Sequence, residues 1–141
     1  MSATCSYRIL PEFKLVLGKY TGTVSEKDII SLKDTIRKDN AFNRDFNILD
    51  DFTDADFNLS AGGPEIILHW LRDNFSSSRR SALLTNTPDQ VVTITLFKHL
   101  EKNKLPMNIQ IFSTLASASR WIGISDRNIN DIAEVINELK S

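Results

Sequence analysis

The chain has 141 residues, 41% apolar and 25% charged, the proportions of an ordinary globular domain, so one core is expected and disorder is not. Its 17 basic and 18 acidic residues leave a net charge of −1, which excludes a dedicated nucleic-acid binder for want of charge to neutralise phosphates. The single cysteine, Cys5, excludes an intramolecular disulfide and a cysteine-based zinc site. No apolar run approaches the roughly 20 residues of a membrane helix or the pattern of a secretory leader, so a cytoplasmic protein without a membrane span is expected.

Residues 1–6 are small and polar and read as a tail. Tyr7 to Leu10 reads as a strand and Pro11-Glu12 as a turn. Phe13 to Tyr20 reads as a second strand, with Phe13, Leu15 and Leu17 alternating along it. So short a connection makes the two strands antiparallel. Gly18 and Gly22 mark a bulge or a close approach, with a bend at Thr21-Gly22. Ser25 is a helix N-cap, with Glu26 and Asp28 in the first turn where the helix dipole favours negative charge. Ile29, Leu32 and Ile36 form its buried stripe, and Lys27, Lys33, Asp34, Arg37 and Lys38 are expected on its outer face.

Phe46 to Asp51 reads as a third strand, reached by a crossover and therefore parallel to the one before the helix. Its acidic continuation, through Asp54 and Asp56, reads as a loop that hands the chain to a helix capped by Ser60. Pro64 lies early in that helix, and Ile66, Ile67, Trp70 and Leu71 form its apolar face. Ser76 to Arg80 reads as a polar connection and Ser81 to Thr85 as a buried fourth strand. Thr87-Pro88 opens a helix. The run that follows, Val91 to Phe97, favours strand by its β-branched content, but the cap and the Leu96 to Leu100 spacing decide for helix. Met107 to Phe112 is the fifth strand. Ser113 or Thr114 caps a short helix bearing Leu115, Ala118, Trp121 and Ile122, closed by Gly123. Ile129, Ile132, Ile136 and Leu139 make the helix from Asn128 to Leu139 strongly amphipathic.

This order predicts an α/β fold with a mixed β-sheet. An antiparallel N-terminal hairpin leads into a parallel centre joined by crossover helices. The chain reads as one domain over 1–141, with residues 126–140 a C-terminal helix extension. Helices are expected mostly on one side of the sheet.

The order, and the way FNILDDFTDADF runs into a serine-started helix, resembles the STAS family, the domain of bacterial anti-sigma factor antagonists. The similarity is greater to the uncharacterised bacterial STAS-like, or SpoIIAA-like, proteins. The opening YRILPEFKLVLGKYTGTVSEKDI, the segment ILDDFTDADF, the strand end SALLTNTP and the close IQIFSTLASASRWIGI carry it, up to about Ile124. The resemblance implies a non-enzymatic regulatory or protein-interaction module used in signalling, with an unidentified protein partner. In the antagonists, a Ser or Thr at the start of the helix after the third strand is phosphorylated by a partner kinase. The matching place here is Asn58-Leu59-Ser60-Ala61, which lacks the Asp-Ser-Ser/Thr-Gly pattern of those families. Ser60, with Asp54, Asp56 and Asn58, forms the candidate interaction or phospho-site; Ser60 also serves simply as an N-cap.

The remaining chemistry is sparse. Asp50, Asp51, Asp54 and Asp56 form an acidic cluster suited to a hard cation or to acid–base work, but the ligand spacing of a calcium loop is missing. His69 and His99 are not spaced as a metal pair. Arg79-Arg80 could receive an anion, though two arginines after three serines read first as a solvated loop. No phosphate loop and no nucleophile elbow is present, so no catalytic residue, metal or cofactor is expected. The alternatives carried forward are a binder of a small apolar or lipid-like ligand and an enzyme using the Asp50–Asp56 loop. A homodimer is expected either through the terminal helix or through the edge of the hairpin.

Overall fold

A computed structural model describes residues 2–101 and 105–139; the side chains of Val92 and of residues 96–101, and so the His99 imidazole, lie outside that description. The elements run β1 (Thr4–Leu10), β2 (Leu15–Val24), α1 (Glu26–Lys38), β3 (Asn47–Phe57), α2 (Gly63–Asn74), β4 (Arg80–Leu84), α3 (Pro88–Glu101), β5 (Asn108–Phe112), α4 (Leu115–Trp121) and α5 (Ile129–Glu138). The five strands form one sheet in the order β1-β2-β3-β4-β5. β1 and β2 are antiparallel and every other pair is parallel, as the sequence predicts.

Local chemistry sets the boundaries. Ser25 and Asp28 close a capping box, Asp28 N–H donating to Ser25 Oγ and Ser25 N–H to Asp28 Oδ2. Thr87 Oγ1 accepts from Gln90 N–H and Thr114 Oγ1 from Ser117 N–H, so both threonines act as N-caps. Gly123, at φ +92°, ends α4, and Ile124 N–H reaches back to Ser119 O in the six-to-one bond of a glycine C-cap.

Within the hairpin, three boundaries differ from the sequence reading. Thr4 to Ser6 are strand rather than tail, because β2 continues to Val24 and gives them a partner from Thr21 to Lys19. Phe13 belongs to a short 3-10 turn that ends at Lys14 in the left-handed conformation, so β2 begins at Leu15. β2 passes through Gly22 with a bulge between Lys19 and Thr21 instead of bending away.

The strand order decides where the helices go. With strands added in sequence and right-handed crossovers, every crossover helix falls on the same face. Thus α1, α2 and α3 cover the face of Val16, Tyr20, Ile48, Phe52, Leu83 and Ile109. The other face, with Leu15, Leu17, Leu49 and Ala82, is left to the chain after β5. There Ala118 and Ile122 of the α4 region and Ile132, Ile136 and Leu139 of the α5 region bury it. The expectation of helices mostly on one side is therefore corrected: both faces are covered, because a two-faced apolar sheet cannot be left half bare. Trp121 is half-buried rather than a core residue; its ring packs at 5.5 Å on Phe112, with the Arg80 guanidinium over it.

Candidate functional site

β3 lies in the middle of the sheet, and its acidic run does not form a loop: the strand continues to Phe57. Pairing explains this. Beyond Asp51, opposite Leu84, β4 has ended, but β2 continues beside β3, with Thr21 against Asp54, Thr23 against Asp56 and Val24 against Phe57. On the side vacated by β4, the buried Gln90 of α3 donates to Phe52 O and Ala55 O, both at 2.6 Å. A single amide thereby satisfies two carbonyls that would otherwise be unpaired.

Side-chain alternation sends the carboxylates to opposite faces. Asp50 points to the α1–α3 face and meets Lys33 Nζ at 2.5 Å. Asp51 points to the α4–α5 face and meets Lys19 Nζ at 2.8 Å, and Asp54 meets the same ammonium at 2.9 Å. Lys19, Lys33, Asp50 and Asp51 are all buried. Lys33 therefore does not lie on the outer face of α1 as its charge suggests; four residues after Ile29, it falls in the apolar stripe. Lys19 likewise continues the inward series of Leu15 and Leu17. These spacings were the available signal for both lysines, which the sequence reading missed.

The candidate residues at the strand exit are dispersed. Asp56, Asn58 and Ser60 are exposed. Ser60 is not the helix cap, which corrects the sequence reading: α2 starts at Gly63, after Gly62, and Ser60 O accepts the Gly63 N–H in the turn before it. The Ser60 hydroxyl is engaged elsewhere. It donates to Glu26 Oε1 at 2.6 Å, and Ser60 N–H donates to Glu26 Oε2 at 3.2 Å, tying the exit of β3 to the first turn of α1. The hydrogen bond from the Ser60 hydroxyl is the main cause that holds the Glu26 carboxyl below its usual range. His69 is exposed, its Nδ1 at 2.5 Å from Arg72. Among the described residues, no three His, Cys, Asp or Glu side chains are placed to hold a metal ion. Arg79 and Arg80 part company: Arg79 is buried, which corrects its reading as solvated loop, while Arg80 is exposed.

Between the sheet and α1–α3 lies an apolar cavity of about 70 Å³, walled by Phe52, Phe57, Leu59, Ile67, Phe75 and Met107, with Asp50 and Lys33 on its boundary. It is about half the ~150 Å³ that admits benzene in an engineered apolar cavity. Two large hydrophobic side chains are exposed among the described residues, Ile66 and Val91. Each is the fourth residue of its helix, in α2 and α3, and both helix starts stand at the carboxyl edge of the parallel strands, the edge that also carries Ser60.

No family model and no curated protein matches the sequence. Among solved structures, the chain is similar to an uncharacterised protein of the DUF3478 family with a SpoIIAA-like fold from Shewanella loihica PV-4. The identity is 15% and the TM-score 0.56, over 85% of this chain and 93% of that one. The fold of this chain is thus SpoIIAA-like α/β, as the motifs of the sequence imply. Among the described residues, no helix is long and apolar enough to cross a membrane.

Proposed function

We propose that the chain is a non-enzymatic regulatory module of STAS-like fold that binds a protein partner at the carboxyl edge of its sheet. The carrying observation is the placement of Ile66 and Val91, the exposed large hydrophobics of the described residues, at equivalent positions of two helix starts on the sheet edge that also carries Ser60. Single exposed apolar residues are ordinary; two at the edge where open α/β sheets place their sites are a basis for association. A switch is available at the same edge. A phosphate on Ser60 would replace a donor by a dianion facing the Glu26 carboxylate, releasing the tie between α1 and the strand exit. The acidic cluster supports a non-catalytic reading, since Asp50 pairs with Lys33 on one face while Asp51 and Asp54 share Lys19 on the other, rather than converging in a cleft. For self-association, the terminal helix is already docked on its own sheet, so a homodimer would use the β1 edge.

The test is partner capture from native extract with wild-type protein and with Ile66→Glu/Val91→Glu. A partner held by the wild type and lost from the folded double variant is expected. An unchanged set of partners on that variant and on Ser60→Asp would remove the proposal.

The cavity favours a second reading, a binder of a small apolar ligand. At its present size it admits a xenon atom more readily than a lipid chain, so the test is a thermal shift under xenon. Stabilisation lost in Leu71→Phe, which fills the cavity wall, is expected on this reading, and an equal shift in both proteins counts against it.

A further inference from the structure

Four of the chain's eight arginines line one open pocket of about 650 Å³. Arg37 and Arg72 come from the last turns of α1 and α2, Arg44 precedes β3 and Arg79 precedes β4. The pocket is therefore at the amino edge of the parallel strands, away from Ser60. Helix-end arginines complement the helix dipole, which accounts for Arg37 and Arg72 but not for Arg44 and Arg79 beside them. One carboxylate shares the lining, Asp73, 3.7 Å from Arg72 and largely exposed. Asp34 lies outside it and holds Arg37 at 2.6 Å.

Arg79 is the fixed point of this pocket. It is 4% exposed, and its guanidinium donates to Phe75 O and to Arg44 O, each at 2.6 Å. It also lies 4.5 Å from the centroid of the Phe75 ring, and Phe42 stacks on Phe75 at 5.4 Å. Among the described residues, neither Arg44 nor Arg79 has a carboxylate within ion-pair distance. Burial, then the neighbouring Arg44 charge, push the Arg79 pKa down to about 10, against the smaller opposing effect of the Asp45 carboxylate, which lies beyond ion-pair distance. The chain thus holds a buried cation in place with carbonyls and surrounds it with further cations, although its overall charge is −1. A buried charge in this setting is stabilised by a counter-ion.

We propose that this pocket binds a phosphate group, carried by a small molecule or by a lipid headgroup. Guanidinium forks match phosphate oxygens two at a time, and a dianion with three terminal oxygens engages more than one fork. The rigid Arg79 sets the position, and the exposed Arg44 and Arg72 close on the anion from the rim.

The experiment is calorimetric titration at constant ionic strength with two probes. They are inorganic phosphate and vesicles of phosphatidylcholine doped with phosphatidic acid. The proteins are wild type, Arg44→Gln/Arg72→Gln, and Arg127→Gln as an exposed control outside the pocket. Binding is expected in wild type and control, weakened roughly tenfold for each pocket arginine removed. Phosphate binding with that pattern assigns the site to a free phosphorylated ligand. Vesicle binding alone with that pattern assigns it to a headgroup. Binding of neither probe, or equal weakening in the double variant and in Arg127→Gln, overturns the proposal.

Discussion

Gly18 and Asp50 stand opposite each other in the β2–β3 pair, and Asp50 Oδ1 occupies the space that a Cβ at position 18 would fill. Glycine in a strand interior ordinarily costs roughly 0.5–1 kcal/mol against alanine, so Gly18→Ala would stabilise if space were the only consideration. Overpacking costs about 1–3 kcal/mol and reverses the sign. Net destabilisation in urea unfolding is expected. A rise in midpoint would show that the carboxylate does not sit over Gly18.

The two buried ion pairs make a second prediction. Lys33→Met leaves the buried Asp50 carboxyl without its ammonium, and Lys19→Met does the same to Asp51. Each is expected to cost about 3–5 kcal/mol. Lys33→Met/Asp50→Asn removes the orphaned carboxyl and is expected to recover a large part of that loss. Equal stability of single and double variants would show that Lys33 contributes by packing alone.

Burial, followed by the charges of Asp28 and Asp50, raises the Cys5 thiol from an ordinary 9.0 to about 11. The folded chain therefore holds this proton more tightly than the unfolded one. Above about pH 9 the unfolded chain gives up its proton first, so the contribution of Cys5 to stability declines as pH rises toward 11. Alkylation by iodoacetamide is expected to accelerate through pH 11. A midpoint near 9 would mean that the thiol is fully solvated.

Trp121→Ala is expected to cost about 1–2 kcal/mol, below the roughly 3–5 kcal/mol of a fully buried tryptophan, because the ring is half-buried against Phe112 and Arg80. Thermal unfolding distinguishes the two ranges.

What was legible in the sequence follows from where charge and periodicity agree. Ser25, Thr87, Thr114 and Gly123 announce helix ends through local hydrogen bonds, and the structure uses each of them. The Thr87 cap identifies the β-branched segment as helix α3. Three of the misreadings, at β3, Lys33 and Arg79, share one cause: a charged residue reads as solvated. Aspartates are depleted in strands, so β3 was cut short at Asp51, although Lys19 compensates Asp51 and Asp54 from the neighbouring strand. Lys33 and Arg79 were placed outside for the same reason. Ser60 reads locally as a cap because its partner, Glu26, lies 34 residues away, and local patterns carry no information about such a contact.

The face built on Leu15, Leu17 and Leu49 is covered by residues that follow the last strand. During synthesis these strands emerge before the segments that shield them. Until the α4 and α5 segments leave the ribosome, the nascent sheet presents a sticky, uncovered side to the cell. A chaperone engaging this chain in that interval would be expected to grip that side.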